Sequence, residues 1–579
     1  MEAYHMPRTC TAPVSQEDYA DFIVRYRRPE EVYDKLPSRC IDFVDRDYAI
    51  AYVPLADVEP IRISAYTYTA IPKLYTLLDT TSMESSGFDQ VSRQPALGLR
   101  GQGVMIGLID TGIDYTNPLF LTPDDTTRLL GIWDQTIGTD ADDSGITSLN
   151  PPEGILYGHE FTPDQINEAL RSDDPLAIVP SRDIIGHGTF LAGIAAGGAT
   201  ADGNFYGAAP EAYLGIVKLK PAKQYLRNFY DIRTDAIAYQ ENDIMMGVKY
   251  LKQLALSRQV PLVICIGLGT NQGGHDGTAP LGLVLGNIGN DSGVVTVVAA
   301  GNETGYRHHY LGTIAADARY DDVEIRVAND ETGFSLELWA LSPELYTVGF
   351  LSPTGEAIAR IPVSSGKENR FSFLLEETTI TVNYQTAEVG SGSQLVFMQF
   401  EAPTPGIWHV LVYNSLFITG QFHMWLPVRG FISDETYFLK SDPDVTITDP
   451  GNALLPITVS AYNHTTSGIY IHSSRGFTRT GRVKPDLAAP GVDVYGPGIP
   501  SDTWIYQTGT SIAAAHVAGA AASLLTWGIL RGNDTSVNTS VAKSYLIRGA
   551  KRNPALTYPS KEWGYGTLDL YQTFLSLRE

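Results

Sequence analysis

Ser511 is the residue of this sequence whose surroundings best suit a nucleophile. It stands near the start of a small-residue, apolar run over residues 509–519, which predicts a buried helix. The free N–H groups at a helix N-terminus carry partial positive charge. A serine placed there can attack a carbonyl carbon while backbone N–H groups stabilise the oxyanion that forms. A core helix with a serine N-cap is the alternative that this run leaves open.

Asp110 and His187 are the residues that could activate such a serine. Asp110 follows the apolar run 103–109, which predicts a buried strand of a parallel sheet. The sites of α/β proteins lie at the carboxyl ends of such strands. His187 lies between Gly186 and Gly188 and opens a second small-residue helix. Taken alone, a strand-end turn aspartate and a helix-capping histidine explain these two residues equally well.

Together, Asp110, His187 and Ser511 have the side chains needed for nucleophilic acyl transfer. A serine hydroxyl attacks only when a base takes its proton, and a histidine base needs an aspartate that fixes its tautomer. Asn302 follows the apolar run 294–301 and offers a neutral donor for an oxyanion, although a turn asparagine would look the same. The sequence around Ser511 is not a G-x-S-x-G elbow, which argues against a lipase or esterase.

The elements that must position these residues alternate between strand and helix. Strands are predicted near 213–219 and 261–268, with a helix near 240–256 between them. This alternation predicts an α/β fold built on a parallel sheet. Residues 120–182 are polar and rich in Pro and Asp, and we interpret them as long surface loops with one helix near 163–171.

Two further units flank or interrupt this α/β pattern. Residues 19–26 and 49–55 alternate as strands do and predict a small α+β unit, followed by a connector over 72–87. Residues 306–436 are β-rich without a convincing helix, which predicts a β-sandwich or jelly roll. Because the α/β style returns after residue 444, this unit is predicted to be an insertion, which a surface loop accommodates at low cost.

Composition and charge narrow the function classes. The net charge of −24 argues against nucleic acid and anionic membranes as partners. The N-terminal residues lack the pattern of a secretory signal, and the apolar runs near 294–300 and 512–526 are too short or too broken to predict a membrane span. Cys10, Cys40 and Cys265 are an odd number and lie far apart, so we expect neither a disulfide framework nor a metal site. We therefore also expect the protein to be located in a reducing compartment.

The chain resembles the subtilisin family of serine proteases in several ordered motifs. The resemblance covers about 82–306 and 440–579, and two departures from the family pattern, Phe190 for histidine and Ala515 for proline, remove no catalytic atom. The motifs are residues 110–114 (DTGID), 186–189 (GHGT), 299–303 (AAGNE) and 509–513 (GTSIA), with further family segments at 473–476, 484–487 and 489–492.

The overall arrangement is similar to that of the Csp proteases of clostridia, which process a spore cortex-lytic zymogen during germination. This resemblance implies a prodomain over 1–81, a subtilisin-like domain over 82–305 and 437–579, and a jelly-roll insertion over 306–436. It also implies a cytoplasmic or spore-associated location. The alternative is a regulatory or scaffold protein that keeps its prodomain, since some members of that group are pseudoproteases.

The resemblance also implies how substrate and prodomain would bind. Gly267, Leu268 and Gly269 resemble the family's substrate-binding edge, where a peptide adds as an extra strand. With Ala300 and Gly301, these small residues suggest a roomy, uncharged pocket. The expected partners are a protein or peptide substrate and the chain's own prodomain in cis, cut between about Tyr75 and Met83. No cofactor is expected; structural calcium occurs in the family, and residues 200–204 could contribute to such a site, but a plain turn is the simpler interpretation.

Overall fold

The structure is a computed structural model. It describes residues 14, 16–27, 40–77, 84–94, 97–139, 142, 144–146, 148–201, 203–364 and 367–578.

An eight-stranded sheet forms the centre of the fold and carries the candidate residues at its strand ends and on the helices that follow. Its strands are parallel except at one edge, where the last pair is antiparallel. This arrangement confirms the predicted α/β class. From edge to edge, the strands are Leu487–Pro490, Ile457–Tyr462, Val294–Ala299, Leu262–Ile266, Met105–Asp110, Tyr213–Lys218, Leu129–Asp134 and His159–Phe161.

Helices cover both faces of this central sheet, which is why its inner strands are mostly apolar. One face carries the His187 helix (His187–Ala196) and the Ser511 helix (Thr510–Leu525), whose residues are all buried and mostly small. The other face carries Glu241–Arg258 and Pro280–Gly289. The remaining described α-helices are Phe88–Arg93, Pro163–Leu170, Gln224–Tyr230, Thr539–Gly549 and Leu570–Ser576.

The Ser511 helix and its continuation, Thr510–Leu530, form one stretch that is long and apolar enough to cross a membrane, with 21 residues and a mean hydropathy of 1.5. By length and composition, the expectation that the run near 512–526 is too short or too broken for a span is therefore wrong. In the structure, 89% of an 18-residue stretch of this helix is buried inside the protein. Its apolar character is therefore accounted for by its contacts with the central sheet and the His187 helix.

The β-rich insertion leaves and rejoins the central sheet between two neighbouring parallel strands, Val294–Ala299 and Ile457–Tyr462. It forms two antiparallel sheets around one apolar cluster, and the described part of residues 306–436 contains no helix. The six-stranded sheet has the order His309–Thr313, Gln421–Trp425, Gly333–Ala340, Gln394–Glu401, Thr379–Gln385 and Glu368–Ser372. The five-stranded sheet has the order Ala357–Ile358, Leu345–Leu351, Gly406–Leu416, Asp321–Val327 and Tyr437–Phe438.

The five-stranded sheet extends slightly beyond the predicted end of the insertion at residue 436. Its strand Tyr437–Phe438 pairs with Asp321–Val327. The predicted β-rich character is thus observed, whereas the jelly-roll assignment and the domain boundaries stay predictions.

An N-terminal sheet consists of Tyr19–Arg25, Tyr48–Pro54 and Cys40–Phe43, with Tyr48–Pro54 in the middle and both pairings antiparallel. Its apolar side chains join the cluster formed by the helices Glu241–Arg258 and Pro280–Gly289. The N-terminal sheet is thereby attached to the face of the central sheet opposite the Ser511 helix.

A short tail strand, Leu74–Leu77, follows the N-terminal sheet. It lies between Leu268–Gly269 and Tyr239–Gln240 and is antiparallel to both. The interpretation of residues 72–87 as a connector is therefore wrong for this part. Four residues carry little periodicity, and their strand conformation depends on partner strands distant in the sequence.

A three-way cluster joins the linker before the tail strand to the two other units. It combines apolar residues of the linker, of the α/β part and of the insertion. Its members include Ile63, Tyr68 and Ile71 from the linker, Leu74 from the tail strand, Leu226, Phe229 and Tyr230 from the α/β part, and Trp339, Phe397 and Trp425 from the insertion.

Two further expectations are corrected by the structure. Residues 120–182 are not all surface loop, because Leu129–Asp134 is a strand of the central sheet and its Trp133 is fully buried. The predicted helix in this region is present as Pro163–Leu170.

Cys40 is disulfide-bonded, so the expectation of no disulfide is wrong, whereas Cys265 is a free, buried thiol.

Candidate active site

Asp110, His187 and Ser511 form a hydrogen-bonded chain of side chains. The His187 Nδ1 atom lies 2.7 Å from Asp110 Oδ1, and its Nε2 atom lies 3.2 Å from Ser511 Oγ. All three residues are buried, with exposed fractions of 5% or less. A histidine bridging a carboxylate and a hydroxyl can take the hydroxyl proton while the carboxylate stabilises the imidazolium.

The three residues come together at one edge of the central sheet, where the strand of Asp110 ends and the helices of His187 and Ser511 begin. Asp110 is the last residue of Met105–Asp110, and His187 is the first residue of its helix. Gly188 permits this close approach, because a Cβ atom there would lie 2.2 Å from the Gly112 carbonyl oxygen. Gly188 therefore has a steric role that the sequence alone did not reveal.

Asn302 lies next to Ser511 and is fixed by Thr510. Its Oδ1 atom accepts hydrogen bonds from Thr510 N at 3.1 Å and from Thr510 Oγ1 at 3.2 Å. Thr510 Oγ1 in turn accepts from Gly301 N at 3.0 Å. Because Oδ1 already accepts two hydrogen bonds, the amide nitrogen Nδ2 is the atom that can donate a hydrogen bond to an anion. Thr510 was missed as a positioning residue, although its place directly before Ser511 was the available signal.

Gly267, Leu268 and Gly269 form the edge that borders the site. A Cβ atom on Gly267 would lie 2.9 Å from Ser511 Cβ and 3.3 Å from His187 Cε1. The strand Leu268–Gly269 pairs with the tail strand, with Leu77 opposite Leu268 and Thr76 opposite Gly269. An extended segment of the chain itself thus occupies the edge at which the family resemblance places a substrate.

The pocket beside this edge is lined differently from the expectation. Thr448 Oγ1 would lie 2.3 Å from a Cβ on Gly269 and 2.6 Å from a Cβ on Gly301, and it donates to Ala300 O at 3.3 Å. The two glycines therefore make room for Thr448, and the prediction that they line a roomy, open pocket is wrong. Thr448 was missed because no motif connects it to either glycine.

The two departures from the family pattern are accommodated by packing. Phe190 is fully buried, and its ring lies against Gly496, where a Cβ would be 2.6 Å from Phe190 Cζ. Ala515 is also fully buried within the Ser511 helix. Neither residue takes part in the contacts between Asp110, His187 and Ser511.

The described residues offer no group of three or more His, Cys, Asp or Glu side chains that could hold a metal ion. Within the loop 200–204, for which calcium was considered, Asp202 lies outside the described residues.

A largely parallel α/β sheet that joins an aspartate, a histidine and a serine in this chain order has the site layout of subtilisin-type serine hydrolases. The sequence matches the Subtilase family, Peptidase S8, over residues 101–366 and 435–566. The chain belongs to this family and is a serine endopeptidase of the subtilisin type. The unmatched stretch 367–434 falls within the β-rich insertion.

The chain is also similar to solved structures of proteases. The CspB protease of Clostridium perfringens is 29% identical, with a TM-score of 0.75, over 86% of this chain and 97% of that chain. Fervidolysin from Fervidobacterium pennivorans, a keratinolytic enzyme related to subtilisin, is 13% identical, with a TM-score of 0.47, over 96% of this chain and 61% of that chain.

Proposed function

We propose that the protein hydrolyses peptide bonds with Ser511 as nucleophile, His187 as base and Asp110 as the partner of the imidazolium. Ser511 Oγ attacks the substrate carbonyl carbon while His187 Nε2 takes the hydroxyl proton. His187 then gives this proton to the leaving amine, and an acyl-enzyme on Ser511 remains. A water molecule, deprotonated by the same histidine, releases the acid and restores the serine. The contacts of 2.7 Å and 3.2 Å along the three side chains support this assignment.

The developing oxyanion would be held by Asn302 Nδ2 and by the N–H of Ser511. Thr510 supports this role, because its two hydrogen bonds fix the other end of the Asn302 amide. Donors that are fixed in advance stabilise the transition state without a reorganisation cost during the reaction.

We further propose that the chain cuts itself after the tail strand. The strand register runs from Thr76 opposite Gly269 to Leu77 opposite Leu268, and the next residue along the edge, Gly267, lies against Ser511 and His187. Bonds shortly after Leu77 would therefore reach the nucleophile. These bonds belong to the predicted window from Tyr75 to Met83, of which residues 78–83 lie outside the described residues.

A second candidate function is that of a regulatory protein whose prodomain stays bound. It is favoured by the tail strand on the substrate edge and by the burial of the linker in the three-way cluster.

For the active form, the similarity to the CspB protease supports the substrate that the family resemblance implies, a spore cortex-lytic zymogen. A cytoplasmic or spore-associated location belongs to the same proposal.

Comparison of the wild type with Ser511→Ala tests the central proposal. Alanine retains the helix start and removes only the hydroxyl, so the variant should purify as one intact chain. The wild type should give two fragments that remain together, and mass spectrometry of the fragments reports the cut bond. Cleavage of Ser511→Ala at that bond, in a host lacking other proteases, would exclude Ser511 as nucleophile. An uncut wild type would favour the regulatory function.

A further inference from the structure

We infer that Asp183 is a positioning residue for this reaction, whose carboxylate sets the geometry between Asp110 and His187. The inference rests on the proposed roles of Asp110, His187 and Ser511. Asp183 lies in the loop before the His187 helix, is 5% exposed, and contacts none of the reacting atoms in the proposed mechanism.

The carboxylate of Asp183 is saturated with donors from two segments. Its Oδ1 atom accepts from Thr111 Oγ1 at 2.9 Å, from Ile185 N at 3.0 Å and from Gly186 N at 2.7 Å. Its Oδ2 atom accepts from Thr189 N at 2.9 Å and from Thr189 Oγ1 at 2.8 Å. Because all these partners donate, an amide in this place would direct its NH₂ group against another donor.

Thr111 connects Asp183 to Asp110 through hydrogen bonds. The Thr111 N–H donates to Asp110 Oδ1 at 2.8 Å, the same oxygen that binds His187. The Thr111 hydroxyl donates to Asp183 and accepts from Gly188 N, in the first turn of the His187 helix, at 2.9 Å. One threonine thus orients the Asp110 carboxylate and ties it to both Asp183 and the His187 helix.

Thr189 forms a second tie between the same two segments. Its hydroxyl donates to Asp183 and accepts from Asp114 N at 2.9 Å. The loop after Asp110 and the first turn of the His187 helix are therefore joined on both sides of Asp183. Asp110 and His187 lie on the two segments that Asp183 joins. The 2.7 Å distance between Asp110 Oδ1 and His187 Nδ1 therefore depends on the hydrogen bonds of Asp183.

Asp183→Asn should therefore slow bond cleavage while the chain still folds. The amide cannot satisfy the donors on both of its faces, so the loop after Asp110 and the His187 helix must shift relative to each other. A displacement of about 1 Å within a catalytic arrangement costs roughly 10²-fold in rate. Thr111→Val should give a loss of the same kind, whereas Thr111→Ser keeps the hydroxyl and should retain most of the rate.

The experiment follows the full-length precursor as it refolds from denaturant and measures the first-order rate of its conversion into fragments. Each variant is also made together with Ser511→Ala, and its circular dichroism gives the folded fraction by which the rate is normalised. Asp173→Asn is the matched control, since it removes an exposed carboxylate from the same connecting segment. It should convert at the wild-type rate.

The outcomes separate this inference from the proposed function. Conversion of Ser511→Ala at the wild-type rate, or no conversion of the wild type, refutes the proposed function and this inference with it. If Ser511→Ala stays intact while Asp183→Asn converts at the wild-type rate, only the role of Asp183 is refuted. If Asp183→Asn fails to fold, the Thr111 pair decides, because equal rates for Thr111→Val and Thr111→Ser contradict the inference.

Discussion

Asp21 is the residue whose removal tests how firmly the N-terminal sheet is attached to the α/β part. It is 1% exposed, and Lys223 Nζ lies 2.8 Å from its Oδ1 atom. Its Oδ2 atom accepts from Gln240 Nε2 at 2.9 Å and from Asn242 Nδ2 at 3.1 Å. Asp21→Ala would leave a buried ammonium and two buried amides without this acceptor.

The magnitude follows from the burial of Lys223. Breaking a buried ion pair by removing one partner costs about 3–5 kcal/mol. Burial lowers the pKa of Lys223, and Asp21 is the main influence that raises it again, so without Asp21 the amine can give up its proton and limit the loss. We therefore expect the lower end of that range, about 3 kcal/mol, which corresponds to roughly 10²-fold in the equilibrium for local detachment.

Native-state hydrogen exchange measures this equilibrium directly, with Ser511→Ala as the parent so that no bond is cut. Amides of Tyr19–Arg25 and Tyr48–Pro54 should exchange about 10²-fold faster in Asp21→Ala, whereas those of Met105–Asp110 should keep their rates. Asp18→Ala, at an exposed aspartate just before the same strand, is the control and should match the parent. Parent-like exchange in Asp21→Ala would refute the view that this buried pair holds the sheet.

Asn302→Ala should lower turnover by roughly 10²–10³-fold with little change in substrate affinity, and unchanged turnover would mean that its amide does not reach the oxyanion. Deletion of residues 306–436 should leave bond cleavage intact but lower the melting temperature, because Trp339 and Phe397 leave the three-way cluster; a melt equal to that of the parent contradicts this. Burial lowers the pKa of His275 and of His309 to about 4, below the ordinary value of 6.5, so unfolded chains bind protons before folded ones do as the pH falls. The stability that these two histidines contribute should therefore be complete above about pH 6.5 and be lost toward pH 4, by up to about 3 kcal/mol for each histidine. If the urea midpoint of His275→Gln falls as much between neutral pH and about pH 5 as that of the parent, this prediction is contradicted.

The reaction chemistry could be predicted from the sequence because its requirements are local. Asp110, His187 and Ser511 each have a glycine within two residues, and each ends or opens an apolar or small-residue run. The α/β class could be predicted for a similar reason, because a strand covered on both faces must be apolar along its length. These constraints act over a few neighbouring residues and therefore leave a readable pattern.

The tertiary structure alone decided which distant residues meet. The pairing of Leu74–Leu77 with Leu268–Gly269, the position of Thr448 between Gly269 and Gly301, and the contacts of Asp183 each join segments far apart in the sequence. The strand Leu129–Asp134 was hidden in a polar region for the same reason, since its neighbours in the sheet define it. Such contacts form because the whole chain buries its apolar surface while satisfying its hydrogen bonds, and short sequence patterns do not record that collective balance.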